Sequence, residues 1–394
     1  MSAPHITILI LNWNKKTLLE QNFSSVQSLD YPNYKILIID NGSTDGTVEY
    51  VTQISKNDSK VRLLALDKNY GYVGGNNAGI KKVIEEGKSQ YVLILNNDVK
   101  VSANLLTELL KGFTDDSIGL ATSNIQLYYP YQKVELKVDQ ATTLTNLQLG
   151  ALKYYALQFE KGFETKGEFL EFPKPLEKEH TYYFAIPSEQ LKEAFLQHTT
   201  SEEVNIELQI NGEKREANSN VPLKLQYVTQ NAGTNFIEGR MVFEDRHIFE
   251  FAKKYPQEVV DAACGAAMLV RVDLLKKFGA FREKYFMYWE DSELAFRFGR
   301  EGFKTMFVPS AICYHIFWGS SGNKETGTQI YYGNRNRLWF IKRYFGFKDF
   351  GYHWIRSAVR TIIIGLKCFG GDQDKRMRLY KRIHALVSAF SKES

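Results

Sequence analysis

Apolar, β-branched runs alternate with amphipathic stretches through the first hundred residues. His5–Leu11 (HITILIL), Tyr34–Ile39 (YKILII), Val61–Leu66 and Tyr91–Leu95 (YVLIL) lack a clear apolar/polar alternation. That pattern predicts strands covered on both faces, as in a parallel sheet. Lys16–Ser28, Thr47–Lys56 and Asn76–Glu86 lie between them as predicted helices. The order β-α-β-α-β-α-β implies an α/β fold with a mostly parallel central sheet flanked by helices, and it places ligands at the carboxyl ends of the strands.

After Gln126 the texture changes. Residues 127–226 carry 11 Lys/Arg against 15 Asp/Glu, no Cys and no Trp, and alternating segments such as Val204–Ile210. Asn211-Gly212 supplies a type I′ hairpin signal. This segment reads as an inserted β-rich, sandwich-like module, with Tyr154, Tyr155, Phe159, Phe163, Phe169, Phe172, Tyr182, Tyr183 and Phe184 either as its core or as a ligand-stacking surface. The expected division is 1–126 with 227–334 as one domain, 127–226 as the insertion, and 335–394 as a basic, amphipathic helical tail.

Composition narrows the class. With 394 residues, 44% hydrophobic, 24% charged and only 9 Pro, the chain is too rich in apolar residues to be disordered. Cys264, Cys313 and Cys368 are few and far apart, which excludes a disulfide framework or zinc cluster and fits a reducing compartment. The N-terminus shows no export signal, so a cytoplasmic location is expected. The net charge of +5 conceals a tail, from Arg335 onward, with 14 Lys/Arg and 4 Asp/Glu. No nucleic-acid-binding motif accompanies that charge. Tyr352–Leu366 instead has the make-up of an interfacial helix, pointing to peripheral contact with an anionic membrane. Packing of these helices on the preceding domain, or oligomerisation through them or through the insertion, stays open.

Candidate chemistry gathers in the loops after the predicted strands. Asn12 and Asn14 follow the first, Asp40, Asn41 and Ser43 the second, Asn69, Gly71, Gly74 and Asn77 the third, and Asn96, Asn97 and Asp98 the fourth. Asp40 can accept from a base or ribose, and the Asn69–Asn77 stretch lets backbone N–H groups approach phosphate at a helix N-terminus. Ordinary turn chemistry explains any one of these loops, but four in succession favour a nucleotide. The Gly-rich stretch is neither a dinucleotide fingerprint nor a phosphate loop. Asn96 and Asp98, two apart on an extended segment, can face one divalent cation.

Ile6–Asn14, Ile38–Gly46 and Leu95–Asp98 together resemble family 2 glycosyltransferases of the GT-A fold. Gly265–Arg271, Phe286–Glu293 and Tyr314–Gly319 resemble that family's second half. The resemblance covers 4–126 and 227 to about 345. It implies an inverting, metal-dependent (Mg or Mn) transfer from a nucleotide-diphospho-sugar to a saccharide or lipid-linked acceptor in cell-surface polysaccharide synthesis. It also implies Asp291 as the base with Glu290 beside it, and Asp98, His315 and Asn96 as metal ligands. Trp318 and Arg335 join the donor side, the latter in a Tyr-x-x-x-Arg-Asn segment. Asn96 stands where many relatives carry Asp, which points to the rhamnosyl- and galactofuranosyltransferase-like branch and to dTDP-rhamnose as the first donor to consider. Two rival readings are a nucleotidyltransferase, for which Asn12–Lys16 is a poor signature, and a catalytically decayed carbohydrate-binding scaffold.

Overall fold

The computed structural model describes residues 3–139, 144–149, 157–158, 164–166, 169–171, 177, 181–187, 193–194, 196–200, 206–215, 219–220, 226–316, 326–367 and 373–391. Contacts divide the chain into two compact units: Met1–Ile125 with Asn231–Arg246 and Tyr255–Ser394, and Gln126–Gln230 with His247–Lys254.

The first unit is built on β1 (Ile6–Asn12), α1 (Lys16–Gln27), β2 (Tyr34–Asp40), α2 (Thr47–Asn57), β3 (Val61–Ala65), α3 (Gly71–Glu86) and β4 (Tyr91–Asn96). β1 pairs in parallel with β2 from Ile6↔Tyr34 to Asn12↔Asp40, and with β4 from Ile6↔Tyr91 to Leu11↔Asn96. The strand Ala267–Arg271 adds antiparallel to β4, then come β6 (Ile118–Leu127), the long strand Lys304–His315 and Glu258–Val260. A short β5 (Val99–Val101) leaves this order to pair with Cys313–His315.

The missing alternation in the strands has its cause in a core on each face. Ile6, Ile8 and Ile10 pack with Ile36, Ile38, Leu93 and Leu95 against Leu19, Phe23 and Val26 of α1. Leu9, Leu37, Ile39, Val92 and Ile94 pack against Val73, Ile80 and Val83 of α3. Each side chain so buried contributes about 1.5–3 kcal/mol, so both faces are committed.

Helix α3 begins five residues before the expected Asn76. The Gly-rich stretch forms its first turns, where glycine lets the helix lie close on the sheet. A Cβ on Gly75 would stand 2.3 Å from a Leu11 methyl.

The C-terminal elements α7 (Gly327–Tyr344), α8 (Gly346–Lys367) and α9 (Gln373–Ser388) belong to this unit. A capping box opens α7: Gln329 N–H donates to the Thr326 hydroxyl and the Gln329 side chain accepts from Thr326 N–H. Phe340, Ile341, Phe350, Leu386 and Ala389 form the apolar seam. No described helix is long and apolar enough to cross a membrane.

The second unit contains an antiparallel sheet ordered Glu213–Arg215, Ile206–Ile210, Tyr131–Val138, Thr181–Pro187 and Leu157–Gln158. Asn211 and Gly212 take φ of 55° and 83°, as a type I′ turn requires. The unit also takes in 227–230 and 247–254, joined by Phe249 N–H to Thr229 O and Ala252 N–H to Tyr227 O. Tyr154, Tyr155, Phe159, Phe163 and Phe172 lie outside the described residues, and no side chain is described for Phe169 or for Tyr182–Phe184.

Candidate active site

The parallel register brings Asn12, Asp40 and Asn96 to one sheet edge. Asn12 is buried, donates to the Thr47 hydroxyl at 3.0 Å and accepts from Asn97 Nδ2 at 2.5 Å. Asp40 is buried as well. Its Oδ2 accepts from Ser43 N–H at 3.0 Å, while its Oδ1 has no hydrogen-bond partner. A buried carboxylate oxygen left unpaired costs stability, and such an acceptor suits a ligand N–H or hydroxyl. Nearby, Asn14, at φ 48°, accepts from Thr44 N–H and donates its own N–H to the Ser43 hydroxyl.

Asn41 ties this edge to the start of α3. Its Nδ2 donates to Asn69 Oδ1 and to Gly71 O, both at 3.0 Å, and its Oδ1 accepts from Tyr70 N–H. Gly71, at φ 74°, has the Phe286 ring 2.5 Å from where a Cβ would stand, so only glycine admits that turn. Asn69 and Asn41 are thus fastened to protein. Gly74 and Asn77 lie inside α3, and both amide atoms of Asn77 are engaged by Phe281 backbone (2.8 and 3.0 Å). Asn77 is thereby fastened to the Phe281 backbone, and a Cβ on Gly74 would meet the Tyr70 side chain.

Between β4 and β5 the chain turns at Asn97-Asp98 and does not remain extended, so Asn96 and Asp98 do not share one strand face. Pairing of Val99 with His315 sets that histidine beside the buried Asp98, with Nε2 3.1 Å from Oδ1. The Asn96 N–H donates to Ala266 O at 3.0 Å. Asp98 and His315 together are a carboxylate–imidazole set of the kind that suits a divalent cation. No cluster of three or more His, Cys, Asp or Glu with metal-ligand geometry occurs among the described residues.

The Asn96–Ala266 contact carries the edge onward. Gly265 N–H donates to Asp291 Oδ2 at 2.8 Å, and Gly265 O accepts from the Tyr72 hydroxyl at 2.7 Å. Asp291 Oδ1 accepts from Ser292 N–H at 2.6 Å. Burial raises the Asp291 pKa above the usual carboxylate range, against these hydrogen bonds, which lower it. Burial and then the Asp291 charge raise Glu290 well above its ordinary value, and its Oε2 lacks a partner. Burial, then the charges of Glu290 and Asp291, also raise the Tyr72 phenol, and Asp98 acts on it as well. Through Gly265, Asp291 and Tyr72 are thus linked across the two halves of the chain.

Asp291 opens helix α6 (Glu290–Arg300) after a strained approach: Phe286, Tyr288 and Trp289 take φ of 63°, 66° and 75°. Side chains in that region are costly, about 1–3 kcal/mol each, and persist only where the surroundings hold them. Here Asn336 does so, donating to the carbonyls of Tyr285, Met287 and Tyr288 at 2.8–2.9 Å. Arg335 donates to Lys284 O at 2.8 Å and stacks 3.9 Å from the Trp339 ring centroid. Arg335 is buried and its guanidinium holds this loop. Buried Glu293 anchors the same helix between Arg282 (2.7 Å) and Arg297 (3.1 Å).

Trp318 lies outside the described residues. Residues the sequence reading did not single out are Tyr72, Gly265 and Asn336. Gly265 and Asn336 stood inside the quoted segments without a role, and Tyr72 carried no signal beyond its place in a Gly-rich run.

The β-α-β half, its polar loops on one edge and the acid-bearing turn after β4 form the mixed α/β arrangement expected of a family 2 glycosyltransferase. Comparison with known proteins agrees. Residues 7–174 match the description Glycosyl transferase family 2, and 208–337 match Glycosyltransferase like family 2; the chain belongs to glycosyltransferase family 2. It is similar to an uncharacterized glycosyltransferase of Haemophilus influenzae, at 24% identity over 52% of this chain and 81% of that one. It is also similar to the GalNAc(5)-diNAcBac-PP-undecaprenol β-1,3-glucosyltransferase of Campylobacter jejuni, at 23% identity over 27% of this chain and 34% of that one. A mannosyltransferase of Pyrobaculum calidifontis, solved with GDP-Man and Mn2+, aligns over 98% of this chain and 87% of its own at 10% identity and TM-score 0.46.

Proposed function

We propose that the protein transfers a sugar from a nucleotide-diphosphate donor to a saccharide or lipid-linked saccharide, with inversion at the anomeric carbon. The observation that carries this reading is the continuous line of contacts from Asn12 through Asn97 and Asn96 to Ala266, Gly265 and Asp291. It joins a nucleotide-type edge to a buried, oriented carboxylate.

In this reading Asp40 accepts from the nucleoside through its unpaired Oδ1. Asp291, oriented by the N–H groups of Gly265 and Ser292, takes the proton of the acceptor hydroxyl. The acceptor oxygen bonds to the anomeric carbon as the bond from that carbon to the diphosphate oxygen breaks, and the nucleoside diphosphate leaves. Glu290 sits buried beside Asp291, its carboxyl raised well above its ordinary value by burial and by the Asp291 charge. A divalent ion bound at Asp98 and His315, with Asn96 as a third donor, would neutralise charge on the leaving diphosphate.

The lipid-linked alternative draws support from the undecaprenol-diphosphate substrate named for the Campylobacter relative, and it puts the reaction at the cytoplasmic face of a membrane. The 127–226 insertion is then an accessory module that shapes acceptor choice. The test is release of nucleoside diphosphate from a panel of UDP-, GDP- and dTDP-sugars, dTDP-rhamnose among them, with manganese, magnesium or chelator. Metal-dependent turnover of one donor supports the proposal. Glycan binding with neither binding nor turnover of any donor would favour a decayed scaffold.

A further inference from the structure

Helix α8 has two unlike faces. Phe350, His353 and Thr361 are buried, and Trp354 Nε1 donates to Leu386 O of α9 at 3.0 Å. On the other side Tyr352, Ile355, Val359, Ile362, Ile363 and Leu366 are 48–68% exposed. At 3.6 residues per turn these six occupy a sector about 100° wide along roughly 21 Å of helix. A second row, Tyr380, Ile383, Val387 and Phe390, runs along and just past α9 and is exposed to a similar degree. Phe390 packs 5.4 Å from the rings of both Phe350 and Trp354, so both rows sit on one antiparallel helical hairpin.

An exposed apolar row of this length signals a partner, and the charges around it select which one. Arg356 and Arg360 are exposed along one flank of the α8 row, Lys348 lies near its start, and Lys375 and Arg376 are exposed at the start of α9. From Arg335 onward the chain carries ten more positive than negative charges. Two copies of so basic a surface repel one another, whereas a surface of lipid phosphates attracts each of them. Since no described helix can cross a bilayer, the hairpin would lie in its plane.

We propose that the α8–α9 hairpin docks the protein on an anionic bilayer, its apolar rows entering the boundary between headgroups and acyl chains and its arginines meeting lipid phosphate. The inference rests on this surface and its charges and not on the reaction.

The test is sedimentation of the full chain with vesicles of phosphatidylcholine alone or with about one-third phosphatidylglycerol. The wild type should sediment with the anionic vesicles, less so at high salt, and not with the neutral ones. Replacing Ile355, Val359 and Ile362 together with Ser, or Tyr380 and Val387 with Ser, should lower partitioning about tenfold or more with an unchanged circular dichroism spectrum. Arg356→Gln with Arg360→Gln should reduce the preference for anionic lipid. Failure of the wild type to sediment, or undiminished binding by both serine variants, would overturn the proposal. So would a vesicle-independent dimer that the same serine substitutions dissolve.

Discussion

The backbone of Gly265 holds Asp291 and Tyr72 from opposite sides: its N–H donates to the carboxylate at 2.8 Å and its C=O accepts from the phenol at 2.7 Å. A Cβ here would stand 3.0 Å from the Tyr72 oxygen and 3.2 Å from Asp291 Oδ2. Gly265→Ala is therefore expected to push the carboxylate aside, lowering kcat for transfer by about tenfold or more with little change in donor affinity. Steady-state kinetics beside donor titration checks this.

Asn336 is fully buried and its Nδ2 serves three carbonyls of the strained loop. Asn336→Ala removes these three hydrogen bonds, although the Tyr285 carbonyl keeps those from Met287 N–H and Arg335, and should cost about 1–3 kcal/mol of stability. Because the loop leads to Asp291, kcat should fall while donor affinity holds, as read by denaturant unfolding and kinetics.

These residues mark how far the sequence was legible. The parallel half could be read because β1, β2 and β4 are apolar on both faces, a pattern fixed by local burial. Asp291 and the Asp98–His315 pair were reachable through motif order. Asn336 was not, and neither was the hold of Arg335 on the Tyr285 loop, since no local pattern shows that this arginine stacks on Trp339. The close packing of the Gly-rich stretch on the sheet was also hidden, and it shows in the Leu11 contact at Gly75.

Glu290 has its folded-state pKa raised by burial and by Asp291. Its stabilising contribution is thus complete below the unfolded-state value, near 4.5, and is lost as pH rises through the raised folded-state value. Glu290→Gln, which stays neutral, should remove that slope and gain stability relative to the wild type as pH increases. Thermal unfolding from acid to neutral pH reads it, and parallel curves for the two proteins would contradict the assignment.

His315 lies 3.1 Å from Asp98, and if the two share a cation, His315→Ala should raise the manganese concentration needed for half-maximal donor turnover by about 10–100-fold. Metal titration of turnover in wild type and variant gives the answer. An identical metal requirement would remove His315 from the site.

The central claim is that Asp291 takes the acceptor proton while the donor is held elsewhere on the edge. Its most direct test is Asp291→Asn, assayed for donor binding by calorimetry and for glycosyl transfer on the same preparation. The asparagine keeps the shape but cannot take the proton, so donor affinity should stay within a fewfold and transfer should fall by about 10²–10⁴. The wild-type rate should also decline as pH falls through a value above the usual carboxylate range, because burial raises Asp291. Transfer by the variant at near wild-type rate, with donor binding intact, would contradict the account.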